Sequence, residues 1–538
     1  MVSSFNERPY KNEKEDAIQY VKSLIIQARE DKRSEDESKL EQLLALLNTK
    51  KYGLVWEEHS EIVEEEMKTK IPVFLEDKSR KITGNPESEY YNFLLEGDNL
   101  HSLHILEKTH AGKIDVIYID PPYNTGNKDF IYNDNIVDKK DGYFHSKWLS
   151  FMSKRLEIAK RLLSDSGVIL VSIDENEHSQ LKLLMDEIFG EKNFVESIVW
   201  DKKSSAKGVP PRNMMVGVHE YILVFQSTLK FRFLGEERDK SGFKNPDNDP
   251  RGLWRESNIK STTKPVEEAF TITDPNTGKK YTNTWAFSKE SLERMIKENR
   301  ILWKEKLPKQ KEFLNNMKNE KKALKSNWGV FDNQKTTMFL KKLLPGTQFN
   351  NPKPIELMKY LIEVTADKNS IILDFFAGSG TTAQAIMEVN QNDGGNRKFI
   401  LCTNNENQIS EKITYERLKR LNEGTEFYSS SPLNLKYFKT SFVSKIEFPG
   451  ILLEEELLNY IVPLVELEFS VDITNPEVQV ILSEEQLDDL SATDYIENST
   501  IFIHPDVFLD DEQEALISKK NITKQNIPDY FFGKDLWL

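Results

Sequence analysis

A short apolar segment that ends in an acid and two prolines constrains this chain more than any other feature. Residues 114–119 are apolar except for Asp115, a pattern that is typical of a buried parallel strand. Asp120, Pro121, Pro122 and Tyr123 follow at once. Two consecutive prolines cannot continue a hydrogen-bonded ladder, so the strand must end and turn here. Because ligands bind at the carboxyl ends of the strands in open α/β sheets, the pattern predicts a ligand site at this turn.

Other apolar runs alternate with helical patterns on both sides of this strand. Strand-like runs occupy residues 167–173, 195–200, 219–225, 370–374 and 398–402, and helical spacing occupies 144–163, 181–189 and 354–364. Such alternation is typical of βαβ units. We therefore predict an α/β core that is built from two separate stretches of the chain.

Charge is distributed unevenly along the 538 residues, whose formal net charge is -15. Residues 201–345 hold 30 Lys and Arg against 18 Asp and Glu, whereas residues 441–538 hold 5 Lys against 21 acids and no Arg. Such asymmetry predicts a polyanionic partner for the middle of the chain and a different partner for its end.

Five regions follow from composition and periodicity. Residues 1–95 predict a helical N-terminal module, and 96–226 and 346–440 predict the two halves of the α/β core. Residues 227–345, rich in lysine, aromatics and turn clusters, predict an inserted domain, and 441–538 predict a small acidic α+β module. Deletion of the acidic module is expected to remove a partner surface and to leave the core working.

The single cysteine, Cys402, excludes an internal disulfide framework and a multi-cysteine zinc site, and we predict no metal site.

No apolar run reaches the roughly 20 residues that a membrane helix requires, and residues 1–39 lack the apolar region of a signal peptide. These observations predict a cytoplasmic protein without a membrane partner.

A second stretch with candidate ligand-binding residues runs from Asp374 to Thr382. A strand leads into a glycine turn there, and a helix follows the turn. Gly378 and Gly380 let a ligand approach the backbone at a helix N-terminus. No lysine follows the glycines, so the turn is not a phosphate-binding P-loop, and Ala383 stands where a dinucleotide fingerprint has a third glycine. Glu406, after the next strand, is placed to accept hydrogen bonds from a ribose.

The two motifs together resemble those of amino-group DNA methyltransferases, which carry a D-P-P-Y motif and an S-adenosylmethionine loop. The D-P-P-Y motif precedes the cofactor loop by 254 residues, which resembles the β-class order. The longer match Asp120-Pro-Pro-Tyr-Asn-Thr-Gly126, with Leu95-Glu-Gly-Asp-Asn-Leu100 before it and Asn351-Pro-Lys-Pro354 later, resembles the modification subunit of type III restriction-modification systems over roughly residues 90–440.

That resemblance implies a Rossmann-like methyltransferase fold with a mixed, mostly parallel sheet, and residues 227–345 as the target-recognition domain. It also implies S-adenosyl-L-methionine as the cofactor, double-stranded DNA as the substrate, a homodimer, and an ATP-dependent restriction (Res) subunit as partner. The implied cofactor contacts are Asp374, Phe376, Gly378, Gly380, Thr381, Glu406, Lys353 and Pro354. The implied pocket for the target base contains His219, Tyr221 and Asn124.

The chemistry of an exocyclic amine explains the first motif. The lone pair of an adenine amine is delocalised into the ring, so a catalyst must localise it. The Asp120 carboxylate and the Pro121 carbonyl can accept the two N–H groups and draw the nitrogen toward tetrahedral geometry, while Tyr123 stacks on the base. Because that amine lies inside a duplex, the base must first be flipped out.

Three alternatives stay open at this point. The same geometry suits the N4 amine of cytosine. RNA or a protein glutamine is a second possible substrate class, although the related motif there usually begins with Asn instead of Asp120. The third alternative is a DNA-binding subunit without methyl transfer.

Overall fold

The computed structural model describes residues 13–31, 33–48, 56, 58–86, 88–126, 130–132, 135–137, 140–203, 214–317, 321–347, 349, 351–448 and 451–528. The chain divides into two compact units. Unit 1 comprises Met1–Arg232 with Ser326–Leu538, and unit 2 comprises Phe233–Lys325. None of the helices in the described ranges combines the length and the hydropathy needed to cross a bilayer.

The first stretch of unit 1 supplies three N-terminal helices and then alternating strands and helices. The helices are α1 Glu13–Glu30, α2 Ser34–Asn48 and α3 Ile62–Thr69. The alternating part contains β1 Lys70–Glu76, β2 Ile82–Thr83, β3 Asn92–Glu96, α4 Asn99–His110, β4 Ile114–Ile119, β5 Ile131–Tyr132, β6 Asn135–Ile136, α5 Phe144–Leu162, β7 Leu163–Ile173, α6 His178–Phe189, β8 Phe194–Asp201 and β9 His219–Gln226.

Unit 2 is a small, mostly antiparallel body with its own core. Its elements are β10 Glu236–Glu237, β11 Trp254–Asn258, β12 Phe270–Thr273, β13 Lys280–Asn283, α7 Lys289–Lys297, β14 Ile301–Leu302, β15 Lys309–Phe313 and β16 Lys321–Lys322. Strand β15 pairs with β11 and β14, and β12 pairs with β13. Trp285 is fully buried in this core and donates its indole N–H to the Phe270 carbonyl, so it supports the fold of the unit.

The second stretch of unit 1 returns to the α/β pattern and ends in a small parallel sheet. It contains β17 Asn327–Val330, α8 Asn333–Leu343, α9 Ile355–Thr365, β18 Ile371–Asp374, α10 Thr381–Asp393, β19 Lys398–Thr403, a π-helical segment Ile409–Tyr415, α11 Glu416–Glu423 and β20 Asn434–Ser444. The last elements are α12 Ile451–Leu458, α13 Ile461–Phe469, β21 Val478–Ile481, α14 Glu484–Asp488, β22 Thr500–Ile503, α15 Asp511–Lys519 and β23 Thr523–Asn526.

One large mixed sheet organises unit 1. Its strand order is β1-β20-β3-β19-β18-β4-β7-β9-β8-β17, with β2 beside β20. The run from β20 to β7 is parallel, and β9 is antiparallel to both of its neighbours. The central strands are mostly apolar, as is typical of a parallel sheet whose two faces are covered by helices. The predicted mixed, mostly parallel Rossmann-like sheet is confirmed.

The N-terminal boundary differs from the prediction. Residues 1–95 were expected to be helical, but β1, β2 and β3 lie in this range and join the main sheet through β20. Strand β20 is far away in sequence, so the local pattern of residues 70–96 could not reveal its pairing. This part of the N-terminal region belongs to the core.

The boundaries of the inserted and acidic regions also shift. Strand β17 lies within the predicted 227–345 domain, but it pairs in parallel with β8 of the main sheet. Helices α12 and α13 lie within the predicted 441–538 module, yet Leu457, Ile461 and Val465 belong to the main apolar core. Buried Lys436 of β20 also binds Glu466 at 2.5 Å and Asp472 at 2.9 Å. The β21-β22-β23 sheet and its helices have an apolar cluster of their own, although Phe502 and Ile527 belong to the main apolar core.

Candidate active site

The two motifs meet because their strands are neighbours in the sheet. Strands β4 and β18 are parallel, with Val116 opposite Ile372 and Ile117 opposite Leu373. Their carboxyl ends therefore open onto the same edge. A cavity of about 740 Å³ at this edge is lined by Asp120 and Pro122 of the first motif and by Phe375, Phe376 and Gly378 of the second.

The lining of this cavity is acidic and aromatic. Its carboxylates are Glu61, Glu66, Asp98, Asp120 and Glu406, and its aromatic rings include Phe130, Phe151, Phe375, Phe376 and Phe442. Among the described lining residues the only basic side chain is His101, whose pKa burial lowers. Carboxylates with apolar rings between them suit a cationic ligand that also has apolar surface.

Hydrogen bonds from other elements fix the turn after β4. The indole N–H of buried Trp148 donates to the Pro122 carbonyl at 2.7 Å. In the described part of the chain nothing donates to the Pro121 carbonyl. The turn thus has the Pro122 carbonyl occupied by α5, while Pro121 is buried and lies outside the lining of the cavity.

Asn124 has a structural position and does not lie in an open pocket, which corrects its predicted role at the target base. Its backbone has φ 56°, and its side chain is buried. It donates to the Phe144 carbonyl at 3.2 Å and to Glu177 Oε1 at 2.6 Å. Asn tolerates this left-handed conformation better than most residues, which explains its place after Tyr123.

Buried Glu177 should make the stability of the protein depend on pH. Burial raises its pKa from 4.5 to about 8, so the folded state holds a proton that the unfolded state releases above pH 4.5. The stabilisation is complete below pH 4.5 and is lost as the pH rises through about 8. The side chain of Glu177→Gln stays neutral at every pH. As the pH rises from 4.5 to about 8, the free energy of unfolding should therefore fall less in the variant than in the wild type. The difference should be roughly 1.4 kcal/mol for each pH unit over which Glu177 is protonated in the folded state and ionised in the unfolded state.

Denaturant unfolding at a series of pH values checks this expectation. His145 Nδ1 lies 2.6 Å from Glu177 Oε1, so the substitution also changes the partner of His145. Parallel stability curves for wild type and variant would contradict the prediction.

A buried charged cluster lies beside Asp120. Lys353 Nζ is 3.2 Å from Asp120 Oδ1 and 2.7 Å from Glu220 Oε2, and it also donates to the Tyr123 hydroxyl. The Tyr123 hydroxyl donates to Glu220 at 3.1 Å, and Lys202 binds the other Glu220 oxygen at 3.3 Å. Lys353 was predicted to contact the cofactor, but the structure places it against the D-P-P-Y motif.

The residues on either side of Glu220 face away from this cluster. His219 Nε2 and the Tyr221 hydroxyl are 2.9 Å apart, and the Tyr221 ring packs on His178 of α6. Alternate residues of a strand point to opposite faces, so Glu220 faces Asp120 whereas His219 and Tyr221 do not. The prediction that His219 and Tyr221 line the base pocket is corrected: Glu220, between them, contacts the motif.

The glycine turn is held in shape by its own residues. Both oxygens of Asp374 are engaged within the turn, by the Thr382 hydroxyl at 2.5 Å and the Phe376 N–H at 3.0 Å. Burial raises the pKa of Asp374 to about 7. Gly378 and Gly380 have φ 51° and 76°, a conformation that favours glycine. Asp374 therefore shapes the turn, while Phe376 and Gly378 line the cavity.

Arg417 of α11, which sequence reasoning missed, supports this turn from behind. It is fully buried and donates to the Ser379 carbonyl, the Thr381 hydroxyl and Gln384 Oε1 at 3.0, 3.0 and 2.8 Å. Thr414, one turn earlier, donates to the Gly378 carbonyl at 2.5 Å. Thr381 and Gly380 are thus part of the support and not of the cavity wall. An isolated arginine in an amphipathic helix gives no signal of such a role.

Asp98 and Asn99 line the cavity and were missed as site residues, although they lie in the quoted Leu95–Leu100 match. Asp98 accepts the Leu100 N–H as the N-cap of α4, and Asn99 donates to the Phe375 carbonyl at 2.9 Å. Fully buried Arg155 binds Asn99 at 2.6 Å and both oxygens of Glu61 at 2.8 and 3.0 Å. It thereby connects the segment before α3 to the cavity wall.

The last two predicted cofactor residues differ in position. Glu406 is exposed and lines the 740 Å³ cavity together with an adjoining cavity of about 720 Å³. Pro354 is the residue before α9 and is buried outside the lining of both cavities. The structure thus keeps Glu406 as a candidate ligand contact and gives Pro354 a helix-start role.

Curated proteins with similar sequences carry DNA-modification names. The chain is 34% identical over 367 residues to the type III restriction-modification enzyme StyLTI Mod subunit of Salmonella typhimurium, which covers 62% of this chain and 56% of the relative. It is 32% identical to the EcoPI Mod subunit of Escherichia phage P1, covering 59% and 58%. The type II methyltransferase M.KpnI of Klebsiella pneumoniae is 33% identical, covering 60% of this chain and 82% of the relative. The alignments thus span little more than half the length of the Mod subunits.

The family model described as DNA methylase matches residues 114–416. This range begins at strand β4, ends at α11, and contains both motifs together with the inserted unit between them. It covers more than half of the chain. The protein belongs to the DNA methylase family.

Proposed function

We propose that this protein methylates the N6 amine of a flipped-out adenine in double-stranded DNA, with S-adenosyl-L-methionine as methyl donor. One observation carries the proposal: Asp120 and the glycine turn line the same 740 Å³ cavity. An acceptor for the amine and a site for the donor therefore share one space. Its excess of carboxylates favours a cationic donor over the neutral product that remains after transfer.

The residues of the chain fit this cofactor. Glu406, beyond the end of β19, is placed to accept hydrogen bonds from ribose hydroxyls, and Gly378 leaves room where a side chain would stand. The phenylalanine rings of the cavity offer apolar surface to the rest of the molecule. When bound, S-adenosyl-L-methionine supplies a methyl group on a positively charged sulfur, which an amine can attack without a covalent enzyme intermediate.

The D-P-P-Y turn would act on the amine itself. Asp120 and the Pro121 carbonyl would accept its two N–H groups, which localises the nitrogen lone pair for attack. Lys353 lies over the Tyr123 ring, 4.8 Å from its centroid, so a base would stack against the other ring face. Positioning supplies most of the catalysis in such a reaction.

DNA recognition is proposed for unit 2 and the segments that flank it. Of the excess of 12 basic residues in 201–345, six lie within residues 233–325. Such charge supplies contacts to phosphates, which position a protein on DNA, while base readout needs further side chains. We also propose that the protein works as the modification subunit of a type III system, as a homodimer with an ATP-dependent Res partner.

Methylation of DNA tests the proposal directly. Purified protein is incubated with S-adenosyl-L-methionine and unmethylated DNA, and the digested nucleosides are separated by mass spectrometry. N6-methyladenine is the expected product. N4-methylcytosine would move the assignment to the cytosine alternative, and binding of DNA without any methylated nucleoside would favour the silent subunit.

A shorter truncation than residues 441–538 is needed to test the partner surface. Helices α12 and α13 belong to the main core, and Asp472 and Thr474 bind Lys81. We expect a chain that ends at Thr474 to keep methylation and to lose the Res partner in a pull-down. Loss of methylation by a folded truncated protein would contradict this assignment.

A further inference from the structure

The charged cluster beside the D-P-P-Y turn is more than a structural ion pair. Lys353 has a side chain only 9% exposed and is shared between two carboxylates, those of Asp120 and Glu220. Glu220 is equally buried and is itself shared between Lys353 and Lys202. Neither Lys353 nor Glu220 lines the 740 Å³ cavity, whereas Asp120 does. The cluster therefore touches the D-P-P-Y motif at Asp120 and at the Tyr123 hydroxyl, and Asp120 is its carboxylate that lines the cavity.

We propose that Lys353 and Glu220 are positioning residues that keep the Asp120 carboxylate ionised and available to the target amine. This inference rests on the proposed function, because it assigns them a part in the same reaction. Lys353 supplies a positive charge next to Asp120, which is itself half-buried. Glu220 draws Lys353 away from Asp120, as the shorter of the two Lys353 distances indicates.

The surroundings of Asp120 explain why one lysine matters. The groups that face it are Tyr118 of its own strand, Tyr123 of the turn, Glu220 of β9, Asp374 of β18 and Lys353 from the segment before α9. Of these described groups Lys353 alone is cationic. Lys202 and Asp174 interact with Glu220 and affect Asp120 only indirectly, through Glu220. The acids of the cavity wall add negative charge on the open side.

These neighbours oppose one another in their effect on Asp120. Burial has the largest effect and raises the pKa of Asp120, Lys353 lowers it, and Glu220 raises it, so that the pKa lies above its ordinary value. Burial also acts to raise the pKa of Glu220, but Lys353 and Lys202 outweigh it, so that the pKa lies below its ordinary value. Glu220 thus stays ionised and holds Lys353. Without Lys353, two carboxylates would face each other and take up a proton between them.

Two substitutions give opposite expectations for the pH dependence of kcat/KM. In Lys353→Met the acid limb should move to higher pH, by about 1 to 3 units for loss of a paired cation, and the rate should recover as the pH rises. In Glu220→Gln the acid limb should move to lower pH. Its plateau should fall at all pH values, because Asp120 is then the one of the two carboxylates left to hold Lys353, which competes with the amine.

A direct binding measurement separates this role from cofactor binding. Titration calorimetry with S-adenosyl-L-methionine should give wild-type affinity for both variants, since neither residue lines the cavity. Glu466→Gln is the matched control, because Glu466 is as deeply buried and is also bound to a lysine, Lys436. Its pH profile should keep the wild-type limbs even if its thermal stability falls.

The outcomes decide between the possibilities. Opposite displacement of the two acid limbs, at unchanged cofactor affinity, supports the inference. Displacement in the same direction, or no displacement in either variant, overturns it, and so does a fall in cofactor affinity with an unchanged kcat. If Lys353→Met does not fold, the isosteric Glu220→Gln decides by the direction of its shift. A wild type that methylates no DNA refutes the proposed function instead.

Discussion

Replacement of Asp120 by alanine is expected to reduce kcat for methyl transfer by at least about 10² to 10³-fold, the usual cost of removing one group that stabilises a transition state. The physical reason is that Asp120 is the one charged acceptor of the D-P-P-Y turn that lines the cavity. Cofactor affinity should change little, because the glycine turn keeps its own hydrogen bonds from Thr382 and Phe376. A radiolabelled methyl-transfer assay and cofactor titration measure the two quantities.

Asp174→Asn is the matched control for that experiment. Asp174 also follows a parallel strand of the sheet, β7, but its carboxylate accepts hydrogen bonds from the N–H and side chain of Asn176 and does not line the cavity. It should retain most of the activity. Unchanged methylation by Asp120→Ala would refute the candidate site, and equal losses in both variants would mean that general disruption of the sheet edge causes the effect.

Replacement of Arg417 by methionine is expected to weaken cofactor binding by about 10 to 100-fold. Its guanidinium supports the glycine turn through the Ser379 carbonyl and the Thr381 hydroxyl, and hydrogen bonds from a charged donor contribute roughly 1.5 to 3 kcal/mol each. Burial lowers the pKa of Arg417 to about 9, which shows that its charge is costly where it lies. Methionine removes that cost. The variant should therefore lose less free energy of unfolding than free energy of cofactor binding.

Lys419→Met, two residues along the same helix, controls for changes in α11. Lys419 is only partly buried and lines neither cavity. Calorimetric titration with S-adenosyl-L-methionine and thermal unfolding give the two readouts for each variant. An Arg417→Met protein with wild-type affinity would show that the turn holds its shape without α11.

The core elements could be predicted because their sequence patterns are local. The apolar runs that ended in Asp120 and Asp374 are strands, and the helices between 144 and 189 lie close to the predicted bounds. Strands β1 to β3 and helices α12 and α13 were assigned to the terminal modules instead. Their partners, β20 and the main apolar core, are distant in sequence, and no periodicity of a segment reports which distant segment covers it.

The sequence by itself determined the chemistry of the two motifs and their order. An acid, two prolines and a glycine turn can be recognised from residue types alone, without knowledge of the fold. Only the tertiary structure decided which neighbours act on them. A strand such as His219–Gln226 shows its alternation in sequence but not which face meets the site, so Glu220 was passed over for His219 and Tyr221. Lys353 lies 233 residues after Asp120 and reaches it at 3.2 Å because folding brings the two segments together. Long-range electrostatics of this kind depends on distance and burial, which are properties of the folded chain.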